Sequence, residues 1–148
     1  FNFGENGNVE FKDFHLVGPD GRDGEDDKGS CNVHGKKGED AFRMRVQAAN
    51  IKINNFRLEL GDGGKGGDAE TSRDCDPGIA KGGDGGSAGN FKMTATGGIE
   101  ILQFHIVPGV GGQGGSATAY GKDGEPGCPG QKGGDATATG GTGGANKK

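Results

Sequence analysis

The 148-residue chain has no tryptophan and a single tyrosine, so it lacks the large stacking surfaces that sugar- and base-binding proteins favour. Leu, Ile, Val and Phe together supply only 24 of the 148 residues, under the roughly 20% below which chains tend to stay disordered. No stretch approaches the ~18 consecutive apolar residues of a membrane span. Helical periodicity is missing throughout, and with it the strand, glycine loop and helix unit that phosphate-binding enzymes use. An excess of one charge is also missing: 17 basic residues stand against 21 acidic ones, for a net charge of −4. That balance excludes the basic footprint of a nucleic-acid binder and removes the self-repulsion that usually accompanies disorder. There is no Asn-x-Ser/Thr acceptor for N-glycosylation. Three cysteines in so core-poor a chain suit an oxidising compartment, as does a start at FNFGENG without Met, and we read the protein as extracellular.

What is there is glycine, 36 residues of it, laid over a repeat. The segments VEFKDFHL (9–16), IKINNFRL (51–58) and IEILQFHI (99–106) align at spacings of 42 and 48 residues. Val9, Ile51 and Ile99 match, then Phe11, Ile53 and Ile101, then Phe14, Phe56 and Phe104, then Leu16, Leu58 and Ile106. A shorter alternating stretch precedes each: Phe1 and Phe3, Phe42 and Met44, Phe91 and Met93. Alternation puts these side chains on one face of a strand, and together they form the predicted strand core. A bulge or corner at Lys12-Asp13 and Asn54-Asn55 would keep the following Phe inward. The repeats are read as 1–41, 42–90 and 91–136, with a cap at 137–148, all in one domain.

Each repeat continues into a glycine-rich excursion with one cysteine near its midpoint, Cys31, Cys75 or Cys128, read as a way out, a turn and a way back. Glycine falls at every third position, as in Gly18, Gly21 and Gly24 or Gly61, Gly64 and Gly67. That period matches the left-handed polyproline-II helix, which has no internal hydrogen bonds. A bare edge on every turn lets neighbouring helices bond through their amides. The expected fold is therefore all-β and non-helical: a three-repeat strand layer packed with antiparallel polyglycine-II helices and no α-helix. Stacked repeats bring excursion tips together, so Cys31 and Cys75 are the first disulfide candidate, and Cys75 with Cys128 the second.

Triplet glycine on antiparallel legs resembles the polyglycine-II bundle proteins, namely springtail antifreeze proteins and the glycine-rich tip adhesins of phage tail fibres. The resemblance covers about 18–40, 61–90 and 107–145 and rests on spacing. It implies a binding role, toward ice or a glycan. The small-residue series Ala117, Thr118, Ala119, Ala136, Thr137, Ala138, Thr139 and Thr142 is the candidate ice face, and Tyr120 with the cysteine turns the candidate glycan contact. GKDGEPGCPGQKG (121–133) and GPDGRDG (18–24) also read as collagen triplets, but collagen needs longer runs and three chains.

Catalytic chemistry is not expected. Cys31-x-x-His34 has no second pair to complete a metal site, Ser30 and Ser72 lack a His–Asp partner pattern, and His15 and His105 align with Arg57, which marks an outward strand face. GGKGGD (63–68) begins like a calcium-binding nonapeptide but Glu70 stands where an apolar residue belongs. Asp62, Asp68, Asp84 and Asp135 remain calcium candidates, against the reading that they are solvated beside Lys65, Lys81 and Lys132. No other cofactor is expected. The first functional expectation is a structural protein that forms homo-oligomers or filaments by strand addition, with Phe1 and Phe3 at one end and Ala136 and Ala138 at the other as assembly strands. Ice binding and glycan or receptor adhesion are the alternatives.

Overall fold

The computed structural model describes residues 7–72, 77–120 and 136–145. Phe1, Phe3, Cys75, Cys128 and Asp135 lie outside them. Among the described residues there is no helix, so none long and apolar enough to cross a membrane. The strands are β1 (Asn8–Val17), β2 (Asp27–Lys28), β3 (Asn32–His34), β4 (Arg43–Ala48), β5 (Asn50–Glu59), β6 (Ala69–Glu70), β7 (Gly78–Lys81), β8 (Asn90–Ala95), β9 (Ile99–Ile101), β10 (Phe104–Val107), β11 (Ala117–Thr118) and β12 (Ala136–Thr139).

Every pairing is parallel and joins segments far apart in sequence, so the chain travels three times along one path. β5 lies between β1 and the β9 and β10 segments, and the register joins Val9 to Ile51 and Ile51 to Ile99, and Phe14 to Phe56 and Phe56 to Phe104. β4 pairs with β8, β6 lies between β2 and β11, and β7 between β3 and β12. The register of β1, β5, β9 and β10 is the one that the sequence aligns, whereas β4 and β8 join Met44 to Phe91 and Val46 to Met93, two residues away from the Phe42–Phe91 and Met44–Met93 match of the sequence. Parallel strands require long crossovers, and the glycine-rich excursions supply them.

The core lies between two of these sheets. Met44, Val46 and Ala48 on β4 pack against Phe11, Ile51, Ile53, Phe56 and Leu58, and Phe42, Phe91 and Met93 flank them. Phe14 and Phe104 stack on the two sides of Phe56, with centroids 5.0 and 5.4 Å away and ring planes tilted by 13° and 20°. Parallel in-register strands carry identical side chains to identical heights, which is why an aromatic column forms. Of the bulge or corner expected there, the structure has a corner common to two strands. Asp13 and Asn55 both adopt left-handed backbone, φ 48° and 60°, and Asn55 Nδ2 donates to Asp13 Oδ1 at 2.9 Å. Asp and Asn tolerate that conformation better than other side chains, and because both strands turn together the register is kept.

The excursions fold out and back beside this core, and the first turns near Gly29, the one described glycine of positive φ (93°). Their backbone hydrogen bonds run between legs, some within one excursion, as Lys36 N–H to the Glu25 carbonyl, and some to another pass. In the second outward leg, Gly63, Gly66 and Ala69 donate to Val110, Gln113 and Ser116 of the next pass, while Gly64 and Gly67 donate to Glu39 and Lys36 of an oppositely directed leg. Asp62, Lys65 and Asp68 donate to aspartate side chains of the first pass. Each of the three edges of the leg therefore serves a different neighbour, with a period of three. Glycine here is a matter of room rather than torsional freedom: a Cβ on Gly64 would land on the carbonyl oxygen of Arg22, and one on Gly83 on that of Lys36. A second, smaller core of Val33, Ala69 and Ala80 closes the far end of the legs.

Candidate assembly interface

The chemistry that repeats most often in this protein is an aspartate gripping the backbone of the next pass. Asp20 Oδ1 accepts the N–H of Asp62 at 2.7 Å, while the N–H of the adjacent Gly21 donates to the Asp62 carbonyl at 2.8 Å. One residue is thus held by both its peptide groups. The same clamp joins Asp23 to Lys65, Asp26 to Asp68, Asp40 to Ser87, Asp62 to Val110, Asp68 to Ser116 and Asp84 to Thr142, all at 2.7–2.8 Å. An extended leg leaves every third N–H aimed along the stack, and aspartate is short enough to reach it without displacing the leg.

At three of these clamps the bonded amide makes the carboxyl more acidic. Asp40, Asp68 and Asp84 are all held below the ordinary aspartate value, first by the backbone N–H of Ser87, Ser116 and Thr142 respectively. Lys65 adds to the effect at Asp68, and Lys37 and Arg43 at Asp40. On the outer strand face Glu59 is lowered chiefly by Arg57 and then by His15.

The calcium candidates belong to this scheme. Asp62, Asp68 and Asp84 each have Oδ1 occupied by an amide, and no cluster of three metal-ligating side chains occurs among the described residues. His34 Nε2 lies 3.0 Å from Asn32 Oδ1, and His15 and His105 flank Arg57 in register. Ser30 Oγ donates to the Asn32 carbonyl. Cys31 is disulfide-bonded, so its partner is Cys75 or Cys128. Tyr120 is half-buried, its N–H donating to Thr71 Oγ1 at 2.7 Å.

The strand core is placed unevenly. Ile51, Ile53, Phe56, Leu58 and Met44 are buried and Phe11 nearly so, with Val9, Phe14, Leu16, Phe42, Phe91, Met93 and Ile106 packed against them. Ile99 and Ile101, assigned to the core from sequence, are 46% and 53% exposed, and Phe104 is 39% exposed. β1, the other edge of the same sheet, keeps Phe11 in the core; Ile99, Ile101 and Phe104 differ in that they are not among the side chains packed against Met44, Val46 and Ala48. Leu102, Val107 and Val110 extend the same exposed apolar edge. β12, which contains Ala136 and Ala138, pairs with β7 alone and forms another edge of that pass.

The clamps themselves escape sequence reading, although Asp-Gly recurs at 20–21, 23–24, 62–63 and 84–85. An Asp before a period-three glycine is the signal, and ordinary turn chemistry disguises it. Compared with protein-family models, with curated proteins and with solved structures, the chain matches none.

Proposed function

We propose that the chain is a non-enzymatic structural module, extracellular, whose glycine legs are polyglycine-II helices and which self-associates through the open edge of its third pass into a larger assembly. The observation that carries this is the hydrogen-bonding of residues 62–69, in which each N–H bonds to a neighbouring pass and none within the leg. Such a lattice has no preferred thickness: whatever joins β5 to β10 can join another strand to β10. The exposed edge around Leu102, Phe104 and Val110 favours association over a free surface. At about 3.1 Å per residue, an eleven-residue outward leg such as 18–28 spans about 34 Å, so each added pass presents a long flat contact. Sedimentation at rising concentration, with electron microscopy of the same samples, should show oligomers or filaments. A strictly monomeric profile at high concentration overturns the assembly reading.

Ice binding is the second reading. Thr137, Ala138, Thr139 and Thr142 are exposed, and the described third-pass legs, 107–120 and 136–145, contain no Asp, Glu, Lys or Arg. The charges of the first two excursions therefore do not interrupt this face. Thermal hysteresis in a freezing-point assay supports this reading, and its absence removes it.

A further inference from the structure

In the seven clamps the residue before a donor N–H supplies the carboxylate that receives its neighbour's N–H, whereas a lysine in that place, as Lys65 before Gly66 with its bond to the Gln113 carbonyl, supplies none. Gly38 donates to the Asp84 carbonyl at 2.8 Å, as Gly21 does to Asp62. The residue before Gly38 is Lys37, not aspartate. The N–H of Asp84 accordingly meets no acceptor among the described residues, whereas the N–H of Ser87, three residues on, is held by Asp40.

At this point the surface opens into a cavity of ≈150 Å³, lined by His34, Lys37, Lys81 and residues 82–84. The lining thus brings His34, Lys37 and Lys81 to the same cavity as one unanswered amide. Lys81 has no carboxylate partner within ion-pair distance among the described residues, and it stands beside His34 in the strand register. Lys37 lies 3.5 Å from Asp40, but Asp40 is also held by Arg43 and the Ser87 amide, so Lys37 is dispensable there. The Oδ1 of Asp84 accepts from the N–H and hydroxyl of Thr142, in the next pass, and these bonds chiefly lower its pKa, but the carboxylate also lies close enough to both lysines for their charge to help.

We propose that this cavity is a binding site for a small oxyanion of the phosphate or sulfate class. One oxygen takes the place that an aspartate Oδ1 occupies in the other clamps and accepts the Asp84 N–H. Lys37 and Lys81 supply charge-assisted bonds. The ion can be free in solution or carried on a sulfated polymer, and the two are separated by the probes used.

The test is an NMR titration of the ¹⁵N-labelled chain in chloride buffer, with inorganic phosphate, with sulfate, and with a sulfated oligosaccharide. A saturable shift of the Asp84 amide is expected, produced by the inorganic ions if the free ion is the ligand, and by the oligosaccharide alone if the group is polymer-borne. Lys37→Asp builds the missing carboxylate into the chain, so it should abolish the shift while raising the melting temperature. Lys81→Ala keeps the site open and should weaken binding at least about tenfold, the loss of one charge-assisted bond. An Asp84 amide that responds to none of the three probes, or that responds equally in the Lys37→Asp chain, overturns the proposal.

Discussion

Replacing Gly83 by alanine separates two accounts of why this chain is so rich in glycine. Gly83 has no positive φ. If it served only backbone flexibility, alanine would restrict the unfolded chain and stabilise the fold by about 0.4–1 kcal/mol. The structure demands the opposite sign. A Cβ at this position would collide with the Lys36 carbonyl, a backbone atom unable to swing aside. Moving it apart disturbs the Gly83 N–H bond to Gly67 at 2.8 Å and the Gly115 N–H bond to Gly83 at 2.7 Å. Two bonds at about 0.5–1.5 kcal/mol each, with about 1–3 kcal/mol for overpacking, give a loss of about 2–6 kcal/mol. In a chain of this size each kcal/mol moves the melting temperature by about 2–4 °C, so Gly83→Ala should melt at least about 4 °C lower. Gly143 is the control, because the nearest atom to a Cβ there is the Gly112 carbonyl oxygen at 3.7 Å, ordinary contact. Gly143→Ala should be neutral or mildly stabilising. Thermal unfolding followed by circular dichroism reads both variants. Equal stability of the Gly83→Ala and Gly143→Ala chains would refute the requirement for close approach.

The clamps make stability depend on acid. Asp40, Asp68 and Asp84 have folded-state pKa values below their unfolded ones, so their contribution is complete above the ordinary aspartate range and lost as pH falls through and below it. Melting temperature should therefore drop on acidification through that window, and Asp84→Asn, which keeps an Oδ1 acceptor without the titrating group, should flatten part of the dependence; an unchanged profile would count against the clamp. The Ile79 N–H donates to the Cys31 carbonyl at 2.8 Å and the Ser72 N–H to the Ser30 carbonyl at 3.3 Å, so unreduced peptide mapping should recover a Cys31–Cys75 link, and reduction should cost about 2–5 kcal/mol in denaturant unfolding. Recovery of Cys31 joined to Cys128 would reassign the turns.

Much of the fold was legible because parallel register preserves sequence alignment. Phe14, Phe56 and Phe104 could be matched by sliding the chain against itself, and the same sliding is what the backbone does in space. The left-handed corner at Asp13 and Asn55 left a trace as a slip in alternation. The direction of the strands left none, since apolar alternation is the same in parallel and antiparallel pairs. Exposure of Ile99 and Ile101 was likewise hidden, because a side chain's pattern reports the face it occupies and says nothing of whether the facing sheet covers it. The clamps were hidden for a different reason: Asp62 and Asp84 have the composition of cation ligands, and only the position of a backbone N–H in another pass gives the Oδ1 of each a donor.

The distribution of those clamps gives the passes unequal faces. The first pass extends Asp20, Asp23, Asp26 and Asp40 toward the second, and the second extends Asp62, Asp68 and Asp84 toward the third. At the residues these last three grip, the third pass has Val110, Ser116 and Thr142. Its outer edge thus offers apolar contact where the inner boundaries offer carboxylates, and association there should be driven by burial of Leu102, Phe104 and Val110. Leu102 is 66% exposed, so Leu102→Asp and Leu102→Lys should leave thermal stability nearly unchanged while a buried, unpaired charge opposes assembly. Sedimentation of the variants beside the parent chain reads the difference. Oligomers that persist in both variants at the parent's concentration dependence would move the interface to another face of the stack.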